Sequence, residues 1–135
     1  MENLQINHLA VISAAVFNLV LGGIWYSPVL FYKAWKDEND LSDEDFEKQK
    51  PLKVYGLAFL LSLVMAYNMA LFLGEESTEW IWGTTAGFLT GFGWAGAIFT
   101  VIALFEMKSW KYIFINSGFI IIYFTVIGFI IGIWR

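Results

Sequence analysis

Polar and apolar positions are sharply segregated along this chain. Four long apolar stretches, Leu9–Tyr32, Val54–Gly74, Trp80–Phe105 and Trp110–Trp134, are separated by short polar segments. No Asp, Glu, Arg or His falls in any of them, and the one Lys, Lys111, stands at the start of the fourth. Each stretch is at least as long as the ~20 residues a helix needs to cross a hydrocarbon core of about 30 Å. In lipid every backbone N–H and C=O must be satisfied within the segment, which makes a helix the natural form. The pattern predicts an all-α protein, an integral membrane four-helix transmembrane bundle, forming a single domain over residues 1–135.

Local signals refine this picture. Pro28, in Trp25-Tyr26-Ser27-Pro28, removes a backbone donor and clashes with the preceding turn, so the first span is expected to kink or end early there. Between the first two spans, Ser42 with Asp45 three residues later is a variant of the capping box, and Leu41 and Phe46 are placed as a hydrophobic staple. A short helix is expected from Asp43 to about Gln49, and Pro51 suits the first turn of the second span.

Small residues recur at helical spacing. Ala58, Ser62, Ala66 and Ala70 form a stripe in the second span. Gly83, Gly87 and Gly91 form two overlapping GxxxG units in the third, continued by Ala95, with Gly93, Ala97 and Thr100 on a neighbouring face. Gly118, Thr125, Gly128 and Gly132 keep a similar spacing in the fourth. Such stripes let helix backbones approach closely. Small residues on more than one side place the third helix, by this reasoning, at the centre of the bundle. The same stripes fit packing within one chain or between two.

Composition and charge narrow the class. Hydrophobic residues make up 59% of the chain and charged residues 15%, against about 25% charged in a soluble domain. A net charge of −4 lacks the basic face a nucleic-acid partner would need. The absence of cysteine excludes disulfides and thiolate metal sites. No Lys or Arg precedes the first apolar run, which is too long for a signal peptide and reads as a retained span. Lys33, Lys36, Lys48, Lys50 and Lys53 lie in the first loop, and Lys108 and Lys111 follow the third span. Only Arg135 lies on the other side. The Lys/Arg bias predicts cytoplasmic first and third loops, with both termini on the non-cytoplasmic side and the short helix between spans 1 and 2 cytoplasmic.

Polar residues inside spans are costly, so each needs a reading. Asn18 stands mid-span with Gly22 and Trp25 on its face, Asn68 lies toward the outer end of the second span, and Asn116 toward the inner end of the fourth. A buried amide usually bonds a neighbouring helix; the functional alternative is that Asn18 faces a polar cavity and contacts a ligand. No ionisable residue stands at mid-depth, which argues against a proton-coupled pump. Ser13, Ser62 and Ser117 have no basic partner in the spans, so packing is their expected role and no catalytic constellation is found. The acidic run Asp37–Asp45 fails the calcium-loop pattern, because Leu41 occupies a ligand position and no Glu closes the loop. His8 reads as an interfacial residue. Glu106 is expected to pair with Lys108 and Lys111, or with Lys33 or Lys36 across the bundle. Neither a metal nor a cofactor is implied.

Several blocks together resemble a known family. They are Asn7-His8-Leu9-Ala10-Val11, Gly22-Gly23-Ile24-Trp25-Tyr26-Ser27-Pro28-Val29-Leu30-Phe31 and Lys33-Ala34-Trp35. Later come Leu104-Phe105-Glu106, Trp110, Ile115-Asn116-Ser117-Gly118 and the closing Gly128 to Trp134. The chain resembles a family of small bacterial membrane proteins catalogued as a domain of unknown function. The resemblance implies a four-helix protein of the bacterial cytoplasmic membrane. It brings no activity, and it marks Asn7, Trp25, Tyr26, Ser27, Pro28, Lys33, Trp35, Glu106 and Asn116, several of them near the cytoplasmic interface.

The reading reached from the sequence is an oligomerising protein that binds or transports a small molecule or lipid. Its candidate ligand residues are Asn18, Trp25, Tyr26, Ser27 and Asn116. Lys33, Trp35 and Glu106 mark the cytoplasmic boundary, and Ala58, Ser62, Ala66, Gly83, Gly87, Gly91, Gly128 and Gly132 mark packing faces. Its partners are the lipid bilayer and a second copy of the chain. The alternative is a structural or accessory subunit that engages another membrane protein; an enzyme ranks last.

Overall fold

The computed structural model describes residues 5–75 and 78–134. Arg135, the one basic residue set against the loop lysines, lies outside them. Among the described residues the fold is all-helical. Helix α1 spans His8–Trp25, α2 Tyr32–Glu38, α3 Asp43–Lys48, α4 Pro51–Phe72, α5 Trp80–Thr90, α6 Ala97–Phe105 and α7 Trp110–Ile133; one wide π-helical turn, Gly91–Gly96, joins α5 to α6. Four helical stretches are long and apolar enough to cross a membrane: α1, α4, the continuous Trp80–Phe105 and α7. Their outward faces carry large apolar side chains such as Leu60, Leu61, Phe92, Trp94 and Phe114. Contiguous apolar surface on that scale suits lipid rather than water.

Helix ends follow their local chemistry. The Asn7 side chain accepts from the amides of Leu9 and Ala10 at 3.0 and 3.2 Å, starting α1. The helix stops at Trp25, well short of the apolar stretch's end at Tyr32. Pro28 disfavours helical backbone before it, and Ser27 donates to the Ile24 carbonyl at 2.6 Å, satisfying a freed acceptor. The chain then turns and restarts as α2, which polar–apolar segregation alone did not indicate. α3 opens with a complete capping box: the Asp45 amide donates to Ser42 Oγ at 3.3 Å, and the Ser42 amide donates to Asp45 Oδ2 at 2.8 Å. Pro51 stands at the first turn of α4, where its missing N–H costs nothing.

The spans alternate in direction, and side-chain bonds identify the two ends of the bundle. At one end Asn7 Nδ2 donates to the Trp134 carbonyl at 3.3 Å, and His8 Nδ1 lies 2.9 Å from the Tyr67 hydroxyl. At the other, Ser109 Oγ donates to the Glu38 carboxylate, tying α2 to the start of α7. The core between α1, α4 and α7 holds Val11, Ala14, Ala66, Ala70, Tyr123 and Ile127.

The third span is not the central one. α7 is the most buried, 33% of its most apolar stretch against 17% for Trp80–Phe105. The third span commits one glycine face to α7 and turns its other faces outward. A Cβ on Gly91 would sit 2.9 Å from the Ile121 Cα, and one on Gly132 2.9 Å from the Trp80 Cα. Added carbons on Gly83 and Gly87 would strike the Gly128 and Phe124 carbonyl oxygens. These glycines therefore pack within one chain. The stripe in α4 divides: Ser62, Ala66 and Ala70 are buried, while Ala58 is half-buried.

Candidate functional site

α1's early end creates a space. Because the chain turns at Tyr26 and restarts as α2, the short helices α2 and α3 lie over the opening between α1 and α4. A cavity of about 500 Å³ lies there. Asn18, Leu19, Gly22, Gly23 and Tyr26 line it from α1, Val54, Tyr55 and Ala58 from α4, and Phe119 from α7. Tyr32, Trp35, Phe46 and Gln49 line it from the cap. Asn18 and Ala58 each stand seven residues inside their helices, about 10 Å below the capped end at 1.5 Å per residue. The cavity therefore runs from the capped end toward mid-depth.

Its walls are mostly aromatic. The Tyr26 ring lies 5.1 Å from Trp35 and 5.5 Å from Phe119, and Phe46 lies 5.7 Å from Trp35 and 5.8 Å from Tyr32. The polar element at the deep end is Asn18. Ser62 Oγ gives its single proton to the Ala58 carbonyl at 2.6 Å, so it can only accept from Asn18. Asn18 Nδ2 therefore faces Ser62, and Oδ1 is left buried with no hydrogen-bond partner among the described residues. Such an acceptor costs about 1–3 kcal/mol.

The structure divides the residues singled out in the sequence. Asn18, Tyr26 and Trp35 line the cavity. Asn116 stands behind it, its Oδ1 accepting from the Tyr26 hydroxyl at 2.6 Å while its Nδ2 donates to the Tyr112 carbonyl. Trp25 turns away: its Nε1 donates to the Ile115 carbonyl at 2.9 Å, and its ring lies against Gly118 and Phe31. Ser27 closes the end of α1. Lys33 and Glu106 are exposed. The ion pair at this end joins Lys36 to Asp43 at 2.5 Å, in place of one to Glu106. Lys108 lies over the Tyr112 ring, 5.2 Å from its centre. Asn68, exposed, bonds its own helix at Val64.

Sequence reasoning missed Tyr32, Phe46, Gln49, Tyr55 and Phe119. The hydrophobic staple and the capping box hinted at Phe46 as part of a short helix, but not as part of a cavity. Two pKa shifts belong to the cap: the Lys36 ammonium is held above its ordinary value by its bond to Asp43, and the Ser42 amide holds the Asp45 carboxyl below its own. No group of three or more potential metal ligands occurs among the described residues.

A second hollow, about 650 Å³, lies between the π turn and α7. Gly93, Gly96, Ala97 and Gly118 line it, with the Thr100 and Ser117 hydroxyls 3.3 Å apart. Those hydroxyls have partners, so nothing polar is left wanting there.

The fold and this cavity define an all-helical protein with four membrane-length helices and an aromatic-walled pocket at one end of the bundle among the described residues. The family model described as "Protein of unknown function (DUF1761)" covers residues 9–132, and the chain belongs to that family. Neither a curated protein nor a solved structure matches it.

Proposed function

We propose that this is a multi-pass protein of the bacterial cytoplasmic membrane that binds a small amphiphilic molecule or lipid in the cavity under α2 and α3. The observation that carries the reading is the space walled by aromatic rings, with Asn18, whose Oδ1 is buried without a partner among the described residues, lining its deep end. Pockets of this kind, apolar with a few placed polar groups, are the usual form of small-molecule sites. The capped end faces the cytoplasm in this proposal, because seven of the eight Lys and Arg residues lie at that end. Self-association belongs to the same proposal.

Native mass spectrometry of the protein released from mild detergent tests it. A recurrent added mass on a defined oligomer supports binding and identifies the molecule. A bare monomer that instead co-purifies with a reproducible membrane protein, and loses it when Asp37–Glu47 is deleted, would favour the accessory-subunit reading.

A further inference from the structure

The chemistry of the cavity specifies more than an amphiphile. None of its lining residues is charged, and none is a lysine or arginine. Its rings include Tyr26, Tyr32, Trp35 and Tyr55, whose faces attract cations. One of them already holds a cation from outside: Lys36 Nζ lies 5.8 Å from the centre of the Tyr32 ring. The cap over the opening is acidic, with seven carboxylates to five lysines from Lys33 to Lys53, so its net field draws cations toward the opening. Lys36 has its charge engaged by Asp43. Asn18 lines the deep end, and its Oδ1 is buried without a hydrogen-bond partner among the described residues.

Resting on the binding function proposed above, we infer that the ligand is an organic ammonium cation carrying at least one N–H, held by the aromatic rings and by Asn18 Oδ1. The rings stabilise the positive charge, and the N–H completes the acceptor that Ser62 leaves unpaired. Oδ1 is closed to water in this structure. Asn18 lines the cavity, and the proposal requires its amide to turn about the soft terminal torsion, giving up the Ser62 bond, to present Oδ1 to a donor there. A carboxylate or phosphate finds no donor cation among the lining side chains, so anions are excluded.

Titration calorimetry on the full chain in lipid nanodiscs, with empty nanodiscs subtracted, tests this. The probes are 4-phenylbutylammonium, its N,N,N-trimethyl analogue and neutral 4-phenylbutanol. The primary ammonium is expected to bind at least about tenfold tighter than the alcohol, the combined effect of one desolvated cation–π contact and one charge-assisted bond. Tyr55 lines the cavity yet is 58% exposed, so its replacement spares the fold. Tyr55→Leu is expected to weaken both cations about two- to fivefold, and Tyr55→Phe to restore them. Asn18→Leu is expected to erase the advantage of the primary over the trimethylated cation. Equal binding of alcohol and ammonium would overturn the cation assignment while leaving the cavity as a binding site. Equal binding of the two cations to the unmodified protein would overturn the role of Asn18. Binding that ignores Tyr55→Leu for all three probes, or no binding at all, would overturn the cavity as their site.

Discussion

Asn18 on α1 and Ser62 on α4 meet in the middle of the bundle, where the amide nitrogen donates to the serine hydroxyl. Ser62 is fully buried and passes its own proton back to the Ala58 carbonyl. The bond staples two neighbouring helices, and it also turns the asparagine carbonyl oxygen away from any partner. In the function proposed here, packing and binding share one side chain. A double-mutant cycle of Asn18→Leu and Ser62→Ala separates the contributions. The expected coupling is about 0.6 kcal/mol and at most about 1.7, the range for interhelical hydrogen bonds in membranes. Reversible unfolding in mixed micelles measures it, and additive single effects would mean the staple contributes nothing.

Glycines in different surroundings should respond in opposite ways. Gly87→Ala drives a carbon into the Phe124 backbone, and separating α5 from α7 is expected to cost about 1–3 kcal/mol. Nothing lies within 4 Å of a Cβ added to Gly56 on α4, so Gly56→Ala is expected to stabilise by about 0.5–1 kcal/mol through reduced backbone freedom. Thermal unfolding of both variants, compared with the unmodified protein, checks the difference in sign.

Met107 closes the turn after α6 with a φ of 57°, in the left-handed region. Its side chain is 90% exposed, so little packing is lost by removing it. Met107→Gly is expected to raise stability by about 1 kcal/mol, since glycine adopts this backbone freely. An unchanged or lowered melting temperature would count against strain at this turn.

The cap carries a pH dependence of known sign. The Ser42 amide and hydroxyl hold the Asp45 carboxyl below its usual value of 3.8. A depressed carboxylate contributes stability that is fully present above 3.8 and is lost as pH falls through the lower folded-state value. α3 should therefore remain capped throughout the neutral range and fray only in strong acid, whereas Asp45→Asn should weaken the cap at neutral pH and differ little from the unmodified chain in strong acid. Amide exchange at residues 42–48 reports both.

Local signals in the sequence translated well into structure, and relational ones did not. Ser42, Asp45 and Pro51 act on backbone within four residues, so their spacing fixes the short helix and the start of α4. The end of α1 was legible in Pro28, but not that the chain would restart as α2, because Tyr32 and Trp35 continue the apolar pattern. Glycine spacing marks close approach without saying how many neighbours a helix has, which is why α7 rather than Trp80–Phe105 proves central. The cavity was half legible. Asn18, Tyr26 and Trp35 stand out as polar or aromatic residues, while Tyr55 and Phe119 look like ordinary span residues until α4 and α7 are placed. That Asn18 Oδ1 lacks a partner depends on where Ser62 sends its proton, a fact of three-dimensional placement alone.

The most direct test fills the cavity and asks whether the bound mass disappears. Gly23 lines the cavity, and a Cβ there meets nothing within 4 Å, so Gly23→Leu adds volume without a backbone clash. Native mass spectra of the unmodified protein and of Gly23→Leu, released from the same detergent, should show a recurrent added mass on the first and none on the second, with the same oligomeric state. An added mass that persists undiminished in the Gly23→Leu protein would contradict the assignment of this cavity as the binding site.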